Sequence, residues 1–489
     1  MMASDSIASD SISPDPGAGN LGTVGDTPSR QDVLGRSQIF TPEVINDIHV
    51  KSELGRYRMR GFSMFKKIPH WDDLMFLPGT LTRFVIEGYR EKCETKTVLG
   101  ARFARYPIEL DIPIYITGMS FGALSIEAKT ALAKGASMAG TATCSGEGGM
   151  IPPERDLSTK WYYQVIQSRY GFNPHHLMLA DGIEFFIGQG CKVGMGGHLM
   201  GQKVTEQVAE MRSLPAGIDQ RSPARHPDWL GPDDLSLKIQ EIREATDYRV
   251  PIQLKLGAAR VYDDVRMAAK CGPDIIYLDG AEGSTGAGPH IGTEETGIPL
   301  MAAIPEARRA LEDVGLAEDV DLVVAGGIRN GADVAKALAL GAKAVAIGHS
   351  SLMALNCNKE IPGITDYLGT VGVPAGQCYH CHTGRCPVGV ATQDPELRSR
   401  LNVDEAANRV YNLLTAMTME LQMLARACGK TNVHSLEPED LCALTMEAAA
   451  MAKVPLAGTS YIPGVTEHET LGEIKTLLGK YLADQGFAP

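Results

Sequence analysis

The sequence contains no apolar run of about 18 residues, which is the length that a membrane-spanning helix needs. It also has no basic N-terminal region followed by an apolar core, so we predict no export signal. Basic residues are the minority, because 46 Lys and Arg stand against 59 Asp and Glu and give a formal net charge of −13. Binding to a phosphate backbone requires clustered Lys and Arg. We therefore expect a cytoplasmic protein that binds neither a membrane nor a nucleic acid.

Cysteine is sparse, with 10 in 489 residues, which is far below the density of a small disulfide-linked domain. Most of them lie singly, as expected for reduced thiols in the cytoplasm. Cys378, Cys381 and Cys386, however, are spaced C-x2-C-x4-C, and Pro387 follows directly. Thiolates this close repel one another unless they are oxidised, bound to a metal or held by an iron–sulfur cluster. The spacing therefore predicts a metal or cluster site at these three cysteines.

Composition and periodicity divide the chain into five segments. Residues 1–35, rich in Ser, Asp, Gly and Pro, predict a flexible tail. Residues 36–110 predict a helical N-terminal segment that packs on the main domain. Residues 111–356 predict that main domain, residues 357–400 carry the clustered cysteines, and residues 401–489 predict a helical C-terminal region.

The main domain alternates short apolar runs with Ala-rich amphipathic stretches. Continuous apolar runs indicate parallel strands in a sheet that is covered on both faces. Seven strands are predicted, at residues 112–117, 141–145, 183–187, 252–256, 275–278, 322–325 and 344–347, and an eighth near 217–223. Eight βα units predict an α/β fold of the TIM (β/α)8 barrel type, with its site at the carboxyl ends of the strands. An open doubly wound sheet is the alternative.

Helical patterns separate the predicted strands. They lie at residues 126–136, 235–244, 263–269, 301–314 and 331–340. Two further helices are predicted after the cysteines. The first covers residues 404–427, capped by Asp404 and stopped at Gly429, and the second covers residues 436–452.

Glycines gather where the predicted strands end. Gly326, Gly327 and Gly348 follow the last two strands, where their N–H groups could reach phosphate oxygens near a helix N-terminus. The alternative is two tight βα turns. A bound phosphate could belong to a flavin, a nucleotide or a sugar phosphate.

A second glycine-rich loop, residues 279–289, carries four glycines among acidic and hydroxyl side chains. Because each glycine costs folding entropy, this density favours a binding loop over a merely structural one. Lys255 lies within the hydrophobic strand at 252–256, where an inward ammonium needs an anionic partner. The N1/O2 edge of a reduced flavin would be one such partner. A salt bridge with Asp279 or Glu147 would be another.

Several ordered motifs resemble the FMN-binding synthase domain of glutamate synthase and its standalone subunit relatives. They are MSFGALS at 119–125, SGEGG at 145–149, GCK at 190–192, DGAEGSTGAGP at 279–289 and CPVGVATQ at 386–393. The resemblance implies an oxidoreductase of CH–NH bonds, with an FMN barrel beside a [3Fe–4S] cluster. It also implies that electrons pass from the cluster to FMN and then to an imine of 2-oxoglutarate. The product would be glutamate or, with methylamine, N-methylglutamate.

The resemblance also assigns roles to individual residues. FMN would be held by Met119, Ser120, Gly122, Lys255, Gly283, Ser284, Thr285, Gly286, Gly326, Gly327 and Gly348. Lys192 and Arg212 would bind the carboxylates of the oxo-acid, with His198 beside them. Glu147 would lie where the amine enters, and Glu147 and Lys255 are the catalytic candidates. Cys378, Cys381 and Cys386 would bind the cluster.

The sequence departs from the family pattern in two places. Cluster cysteines there are usually spaced C-x5-C-x4-C, but Ala375 stands at the first position, so Cys378 is the nearest substitute. Cys357 could add a further ligand, which leaves a [4Fe–4S] cluster open. Residues 193–198 read VGMGGH where the family usually has PGEGGQ. His198 thus changes the hydrogen bonding beside the oxo-acid, which favours N-methylglutamate or a similar amino acid as the product.

The nitrogen and the electrons would come from other subunits. No Cys stands at position 2 as the nucleophile of a glutaminase, and no G-x-G-x-x-G follows a strand. We therefore expect a hetero-oligomer. One alternative is a self-contained FMN-barrel enzyme, of the hydroxy-acid oxidase or nucleotide dehydrogenase type, with a structural zinc site. Another is a scaffold subunit without flavin.

Overall fold

The structure, a computed structural model, describes residues 37–88, 90–361, 364–371, 376, 378–466 and 476. The chain divides into two compact units, Met1–Arg56 and Tyr57–Pro489. The described part of the first unit contains helix α1 (Pro42–Leu54), which begins after Thr41 and ends at Gly55, in the left-handed conformation with φ of 62°. Thr41 caps the helix because its side chain accepts the N–H of Val44. The predicted tail at 1–35 lies outside the described residues.

The second unit contains the strands and the remaining helices of the described chain. The strands are β1 (Met59–Phe62), β2 (Leu74–Phe76), β3 (Thr97–Leu99), β4 (Ile108–Leu110), β5 (Ile114–Ile116), β6 (Thr143–Cys144), β7 (Trp161–Val165), β8 (Gly182–Phe186), β9 (His198–Leu199), β10 (Gln220–Arg221), β11 (Ile252–Gly257), β12 (Ile275–Asp279), β13 (Thr285–Pro289), β14 (Asp321–Ala325), β15 (Ala344–Ile347) and β16 (Leu441–Ala443). The helices are α2 (Ile126–Met138), α3 (Pro152–Leu157), α4 (Pro174–Leu179), α5 (Glu206–Arg212), α6 (Pro232–Ala245), α7 (Val261–Lys270), α8 (His290–Glu295), α9 (Leu300–Asp313), α10 (Gly331–Ala339), α11 (His349–Ala354), α12 (Tyr367–Val371), α13 (Pro395–Arg398), α14 (Val403–Ala427) and α15 (Met446–Ala452).

Eight parallel strands form one sheet, in the order β5-β15-β14-β12-β11-β8-β7-β6. Followed along the chain, these are the eight consecutive strands of a (β/α)8 barrel. The Ile116 N–H donates to the Ala142 carbonyl at 3.0 Å, which brings β5 next to the start of β6 and nearly closes the sheet. The strands are buried along most of their length, as a sheet covered on both faces requires. The predicted barrel is confirmed, and the open doubly wound sheet is wrong.

Seven of the predicted barrel strands are confirmed, but the eighth is not at 217–223. It is β7, which pairs with β6 and β8. Its run Trp-Tyr-Tyr-Gln-Val is aromatic rather than aliphatic, and aromatic side chains also suit a buried pleated strand. Tyr162, for example, stacks on Tyr115 inside the barrel, with ring centroids 5.6 Å apart. Residues 217–223 instead contain β10, which pairs antiparallel with β9 outside the barrel.

The helices predicted between the barrel strands are confirmed as α2, α6, α7, α9 and α10. The long C-terminal helix is α14, but its cap is Asn402 rather than Asp404. The Asn402 Oδ1 accepts the N–H groups of Asp404 and Glu405, at 3.1 and 3.2 Å. The predicted helix at 436–452 is wrong in its first part. Its middle part forms β16, which pairs antiparallel with β2, and only α15 is α-helical.

The N-terminal segment contains no α-helix between Tyr57 and Leu110 among the described residues. Strands β3 and β4 form an antiparallel hairpin whose apolar side chains join the barrel interior. The N–H of Gly100, which follows β3, donates to Asp321 Oδ2 at 2.7 Å, at the start of β14. The hairpin therefore covers the amino end of the barrel and leaves the carboxyl end for the site. Among the described residues, no helix is long and apolar enough to cross a membrane.

Candidate active site and cysteine pocket

The predicted cofactor residues follow the carboxyl ends of neighbouring barrel strands. Residues 119–122 follow β5, Gly348 follows β15, Gly326 and Gly327 follow β14, and residues 283–286 follow β12. Lys255 lies on the next strand, β11. Because β5, β15, β14, β12 and β11 are consecutive in the sheet, these residues border one continuous stretch of the barrel mouth.

A glycine after β14 and another after β15 have unpaired backbone donors. Gly326 and Gly327 adopt φ values of 116° and 68°, which favour glycine. A Cβ at Gly326 would lie 3.0 Å from the backbone nitrogen of Gly280, so the two loops meet backbone to backbone. Within the described ranges, the N–H groups of Gly327 and Gly348 find no acceptor, whereas the parallel pairing of Ala325 with Ala346 engages that of Gly326. Unpaired amides at two neighbouring strand ends fit the phosphate group of a cofactor.

Lys255 points into the barrel and is 4% exposed. Its Nζ lies 3.1 Å from Thr117 Oγ1, 3.4 Å from the Tyr277 hydroxyl and 3.8 Å from Asp279 Oδ2. Burial opposes the charged form, but the neighbouring Tyr277, Asp279 and Glu184 outweigh it and raise the pKa of Lys255 above its ordinary value. Of the two carboxylates predicted to pair with Lys255, Asp279 lies within ion-pair distance. No ion pair joins Lys255 to Glu147 in the part of the chain that the structure describes.

A buried polar network lies beneath Lys255, and the sequence analysis missed it. Glu184 on β8 accepts from Gln164 Nε2 and from Gln253 Nε2, both at 2.5 Å. Gln253 Nε2 also lies 3.2 Å from the Tyr115 hydroxyl. Burial raises the pKa of Glu184, although Lys255 and the two glutamines partly oppose this. The available signal was a polar residue within each of these apolar runs, since such a residue must point inward and find partners.

Arg212, at the end of α5, is 3% exposed and joins the loops on the other side of the mouth. Its Nη1 donates to Gln220 Oε1 at 3.2 Å, and its Nη2 donates to the carbonyls of Phe121 and Glu147, at 2.9 and 3.2 Å. Its Nε is buried and has no acceptor among the described residues. Since all three acceptors are uncharged, Arg212 retains positive charge that suits a carboxylate ligand.

Glu147 lies against the strands β9 and β10. Its Oε1 accepts from Ser222 Oγ, directly after β10. A Cβ at Gly197 would lie only 1.8 Å from Glu147 Oε2. The loop at 193–198, which departs from the family pattern, therefore touches the carboxylate that was predicted to meet the amine.

Lys192 and His198 lie on the same side of the mouth. Lys192 is 2% exposed, and its Nζ donates to the carbonyl of Ala287, in the second glycine-rich loop, at 3.2 Å. His198 Nε2 lies 3.4 Å from Asp219 Oδ2. Burial lowers the pKa of His198, Asp219 partly opposes this, and the positive charge of Lys192 lowers it further. The pair β9–β10 thus brings His198 close to Lys192.

The remaining predicted cofactor residues divide between the two sides. A Cβ at Gly348 would lie 3.9 Å from Met119 Sδ, so Met119 adjoins the predicted phosphate site. A Cβ at Gly122 would lie 3.4 Å from Arg212 Nη2, so Gly122 adjoins the predicted oxo-acid site instead. Ser120, between them in sequence, is buried. Thr285 Oγ1 donates to the Ala287 carbonyl at 3.1 Å within its own loop.

The three predicted cluster cysteines line one pocket, together with Cys357. The pocket encloses about 560 Å³, including its opening to solvent, and its other walls are largely apolar. Burial and the neighbouring thiols raise the pKa of Cys381 to about 12 and also raise the pKa of Cys378 and Cys357. Thiolates in this pocket therefore need a cationic centre to bind. Ala375 lies outside the described residues.

The clustered donors are thiols, which bind either zinc or an iron–sulfur cluster. No three ligating side chains among the described residues are arranged around one metal ion. A cluster binds its thiolates through different irons, so its ligands stand further apart than those of one zinc. All ten cysteines of the chain are free thiols.

Lys203 ties the cysteine loop (residues 376–398) to the barrel, and the sequence analysis did not predict it. It is 1% exposed, and its Nζ donates to the carbonyls of Ala123 and Cys381, at 2.7 and 2.8 Å. Burial lowers its pKa to about 8, although Cys381 and Cys386 oppose this. A lysine in a short 3-10 turn carries no local signal of such a contact, because its partners are 80 and 178 residues away in sequence.

Strand β1 lies between the cysteine pocket and the barrel mouth. It pairs antiparallel with β13, which begins at Thr285. A Cβ at Gly61 would lie 2.6 Å from Cys381 Cβ and 2.9 Å from the Gly286 carbonyl. The cysteine loop and the second glycine-rich loop therefore meet at a single residue without a side chain.

His349, the first residue of α11, contacts both regions. Its Nδ1 lies 2.9 Å from Ser284 Oγ, and its Nε2 lies 3.7 Å from Cys357 Sγ. The ring of Phe62, which adopts a positive φ of 80°, packs edge-on against His349 with centroids 4.0 Å apart. Burial lowers the pKa of His349 to about 4, so the imidazole is neutral at physiological pH.

Comparison with known proteins places this geometry in context. The family model described as "Conserved region in glutamate synthase" matches residues 90–431. The glutamate synthase large subunit-like protein of Rhizobium meliloti is 53% identical over 429 residues, which cover 88% of this chain and 97% of that protein. The archaeal-type glutamate synthase [NADPH] of Dehalococcoides mccartyi is 35% identical over 413 residues, covering 81% and 79%.

Among solved structures, a flavocytochrome b2 variant with sulfite bound is similar. It shares 16% sequence identity with a TM-score of 0.49, and the match covers 87% of this chain and 90% of that chain. The barrel is assigned from the strand order alone, because a likeness at this TM-score is too weak to support the assignment.

Proposed function

Because the chain belongs to the glutamate synthase family, we propose that it is the synthase subunit of an iron–sulfur flavoprotein. This subunit would convert 2-oxoglutarate and ammonia or methylamine into glutamate or N-methylglutamate, through a 2-iminoglutarate-type intermediate. The observation that carries the proposal is Gly61, at whose Cα the cysteine loop (Cys381) and the second glycine-rich loop (Gly286) meet. A redox group in the cysteine pocket would thereby adjoin a cofactor at the barrel mouth.

When bound, FMN would supply the hydride for the imine carbon, and the iron–sulfur cluster would supply electrons to FMN. The unpaired N–H groups of Gly327 and Gly348, beside Gly326, support a phosphate site there. Lys255, held between Thr117, Tyr277 and Asp279, would face the anionic edge of the flavin ring. The remaining residues proposed to line the flavin are Met119, Ser120, Gly122, Gly283, Ser284, Thr285 and Gly286.

The substrate side would work by positioning rather than by proton transfer. Arg212 and Lys192 would each bind a carboxylate of the oxo-acid, since both are buried cations whose hydrogen bonds go to neutral oxygens. Holding both carboxylates fixes the imine carbon against the hydride donor, which lowers the entropic part of the barrier. Glu147 would bind the amine, and its contacts with Ser222 and Gly197 would set the room available to a methyl group.

Partner subunits would deliver the nitrogen and the electrons. The relative in Dehalococcoides mccartyi is named an NADPH-dependent glutamate synthase, which makes NADPH the proposed source of reducing power. We also propose the cytoplasm as the location, because ten free thiols suit a reducing compartment.

The test starts with the absorption spectrum and metal content of the purified protein. Flavin bands with a broad iron–sulfur shoulder are expected. The complex reconstituted with its partner subunits is then supplied with NADPH and 2-oxoglutarate, and flavin reoxidation is followed with ammonia, glutamine or methylamine. We expect one of these to accelerate reoxidation and to yield the corresponding amino acid. If none does, reductive amination is wrong, and flavin with zinc but no iron would indicate the self-contained oxidoreductase.

A further inference from the structure

We infer that Cys357 is a fourth ligand of the cluster, so that this chain holds a [4Fe–4S] cluster rather than a [3Fe–4S] cluster. The inference rests on the proposed cluster site and extends it to the number of irons. Cys357 lies outside the C-x2-C-x4-C motif, shortly after the C-terminal end of α11.

The four cysteines share one cavity. Cys357, Cys378, Cys381 and Cys386 all line the same pocket, and no other cysteine does. Burial does not distinguish Cys357, which is half-buried like Cys378 and Cys381, whereas the other cysteines are buried. Convergence of four thiols on one concave surface does distinguish it, since a cubane cluster of four irons takes one thiolate at each iron.

A hydrogen bond to Asn358, the residue after Cys357, connects this segment to the cysteine loop. Asn358 Oδ1, on the neighbouring residue, accepts the N–H of Cys378 at 2.7 Å. The first cysteine of the motif and Cys357 are thus joined through a single side chain. A shift of either segment would break this bond, so the two thiols are held on the same pocket together.

The residues on either side of Cys357 have an unusual backbone conformation. Asn356 and Asn358 adopt the left-handed conformation, with φ values of 73° and 61°, which asparagine tolerates better than most residues. The Cys357 N–H donates to the Leu352 carbonyl at 3.1 Å and closes the end of α11. Cys357 therefore lies between two residues with left-handed backbone, at the wall of the pocket.

A [4Fe–4S] cluster differs from a [3Fe–4S] cluster by one iron, and that iron needs one further thiolate. With three thiolates, a cubane would have one iron without a protein ligand, and loss of that iron leaves [3Fe–4S]. In the reverse direction, a reduced [3Fe–4S]0 core takes up one Fe2+ to give [4Fe–4S]2+ without further electron transfer. Cys357 loses its thiol proton to solvent as its sulfur binds the added iron.

The competing role for Cys357 is a free thiol that hydrogen-bonds His349, whose Nε2 is 3.7 Å from its sulfur. The two roles differ in iron count. The full chain is purified without oxygen, with its partner subunits and excess Fe2+, and is examined by Mössbauer and EPR spectroscopy alongside iron and sulfide analysis. We expect four irons per cluster, no EPR signal before reduction and a signal after it.

Cys357→Ala should lose one iron per cluster and show the reverse pattern, with a three-iron EPR signal in the oxidised state. Cys357→Ser serves if the alanine variant does not fold. The matched control is Cys271→Ser, a buried thiol whose sulfur contacts the carbonyls of Pro232 and Met267, and it should keep four irons. A three-iron cluster in the unmodified chain, or four irons in Cys357→Ala, overturns the inference while the proposed function stands. Absence of any cluster overturns the proposed cluster site as well.

Discussion

At the scale of single residues, Lys255 offers a direct test of the flavin side. Lys255→Met keeps much of the side chain's shape but removes a charge that lies 3.8 Å from Asp279. We expect kcat to fall by roughly 100-fold, because a buried cation that faces developing negative charge contributes strongly to catalysis. The rate is measured as flavin reoxidation per bound flavin, which absorbance determines.

A matched control is Lys336→Met, since Lys336 is also buried but donates to the Trp71 carbonyl at 2.7 Å, on the outside of the barrel. It should lower stability while leaving the rate per bound flavin unchanged. An equal loss of rate in both variants would show that burial of a lysine, and not its place at the mouth, explains the effect.

Arg212 tests the oxo-acid side. Arg212→Lys keeps the charge but cannot reproduce the fork of donors that reaches Gln220, Phe121 and Glu147. We expect the KM for 2-oxoglutarate to rise by about 10-fold or more, because a charge-assisted pair is worth roughly 1.5–3 kcal/mol. Steady-state kinetics should show a smaller change in kcat.

Arg243→Lys is the control for Arg212, because Arg243 is equally buried and pairs with Asp274 at 2.9 Å at the amino end of the barrel. It should leave the KM for 2-oxoglutarate unchanged. A KM that is insensitive to Arg212→Lys would remove Arg212 from the substrate site.

At the scale of elements, β1 decides how close the cysteine pocket lies to the mouth. Gly61→Ala places a methyl group within 2.6 Å of Cys381 Cβ and 2.9 Å of the Gly286 carbonyl. Because β1 is paired with β13, which contains Gly286, it cannot shift far enough to make room for the methyl group without breaking that pairing. We expect lower iron and flavin content per chain, measured by metal analysis and absorbance.

Gly231→Ala is the control, since a Cβ at Gly231 meets no atom within 4 Å and its φ of −155° is extended backbone. It should retain full iron and flavin content. Normal occupancy of both groups in Gly61→Ala would mean that the cysteine loop moves freely and that β1 does not set its position.

At the scale of the whole molecule, buried histidines make stability depend on pH. His226 stacks on Trp229 with ring centroids 3.7 Å apart, and burial lowers its pKa to about 4. In the unfolded chain the same histidine titrates near 6.5. The unfolded state therefore binds more protons between these values, so stability falls as the pH decreases from about 6.5 towards 4.

We expect this site to contribute roughly 2 kcal/mol less to the free energy of unfolding at pH 5 than at pH 7.5. His226→Gln should weaken the pH dependence by that amount, as measured by urea-induced unfolding at the two pH values. His175→Gln, at an exposed position, should retain the dependence of the unmodified chain. A parallel shift of both variants would place the proton uptake elsewhere.

The sequence by itself determined the barrel and most residues proposed for its mouth. Strands covered on both faces must be apolar throughout, and loops that present N–H groups must be rich in glycine. Both features can therefore be recognised from short stretches of sequence. The same local rules missed β7, whose strand signal is aromatic, and placed a helix where β16 pairs with β2.

Only the tertiary structure decided which distant residues meet. Cys357 lies in the pocket of the three motif cysteines. Lys203 donates to a carbonyl of the cysteine loop, and Gly61 lies where that loop approaches the barrel mouth. The tertiary structure also showed that β10, taken at first for a barrel strand, pairs with β9 beside Glu147 and Arg212. Each of these contacts joins residues far apart in the chain, and neither partner carries a signal of the other in its own neighbourhood.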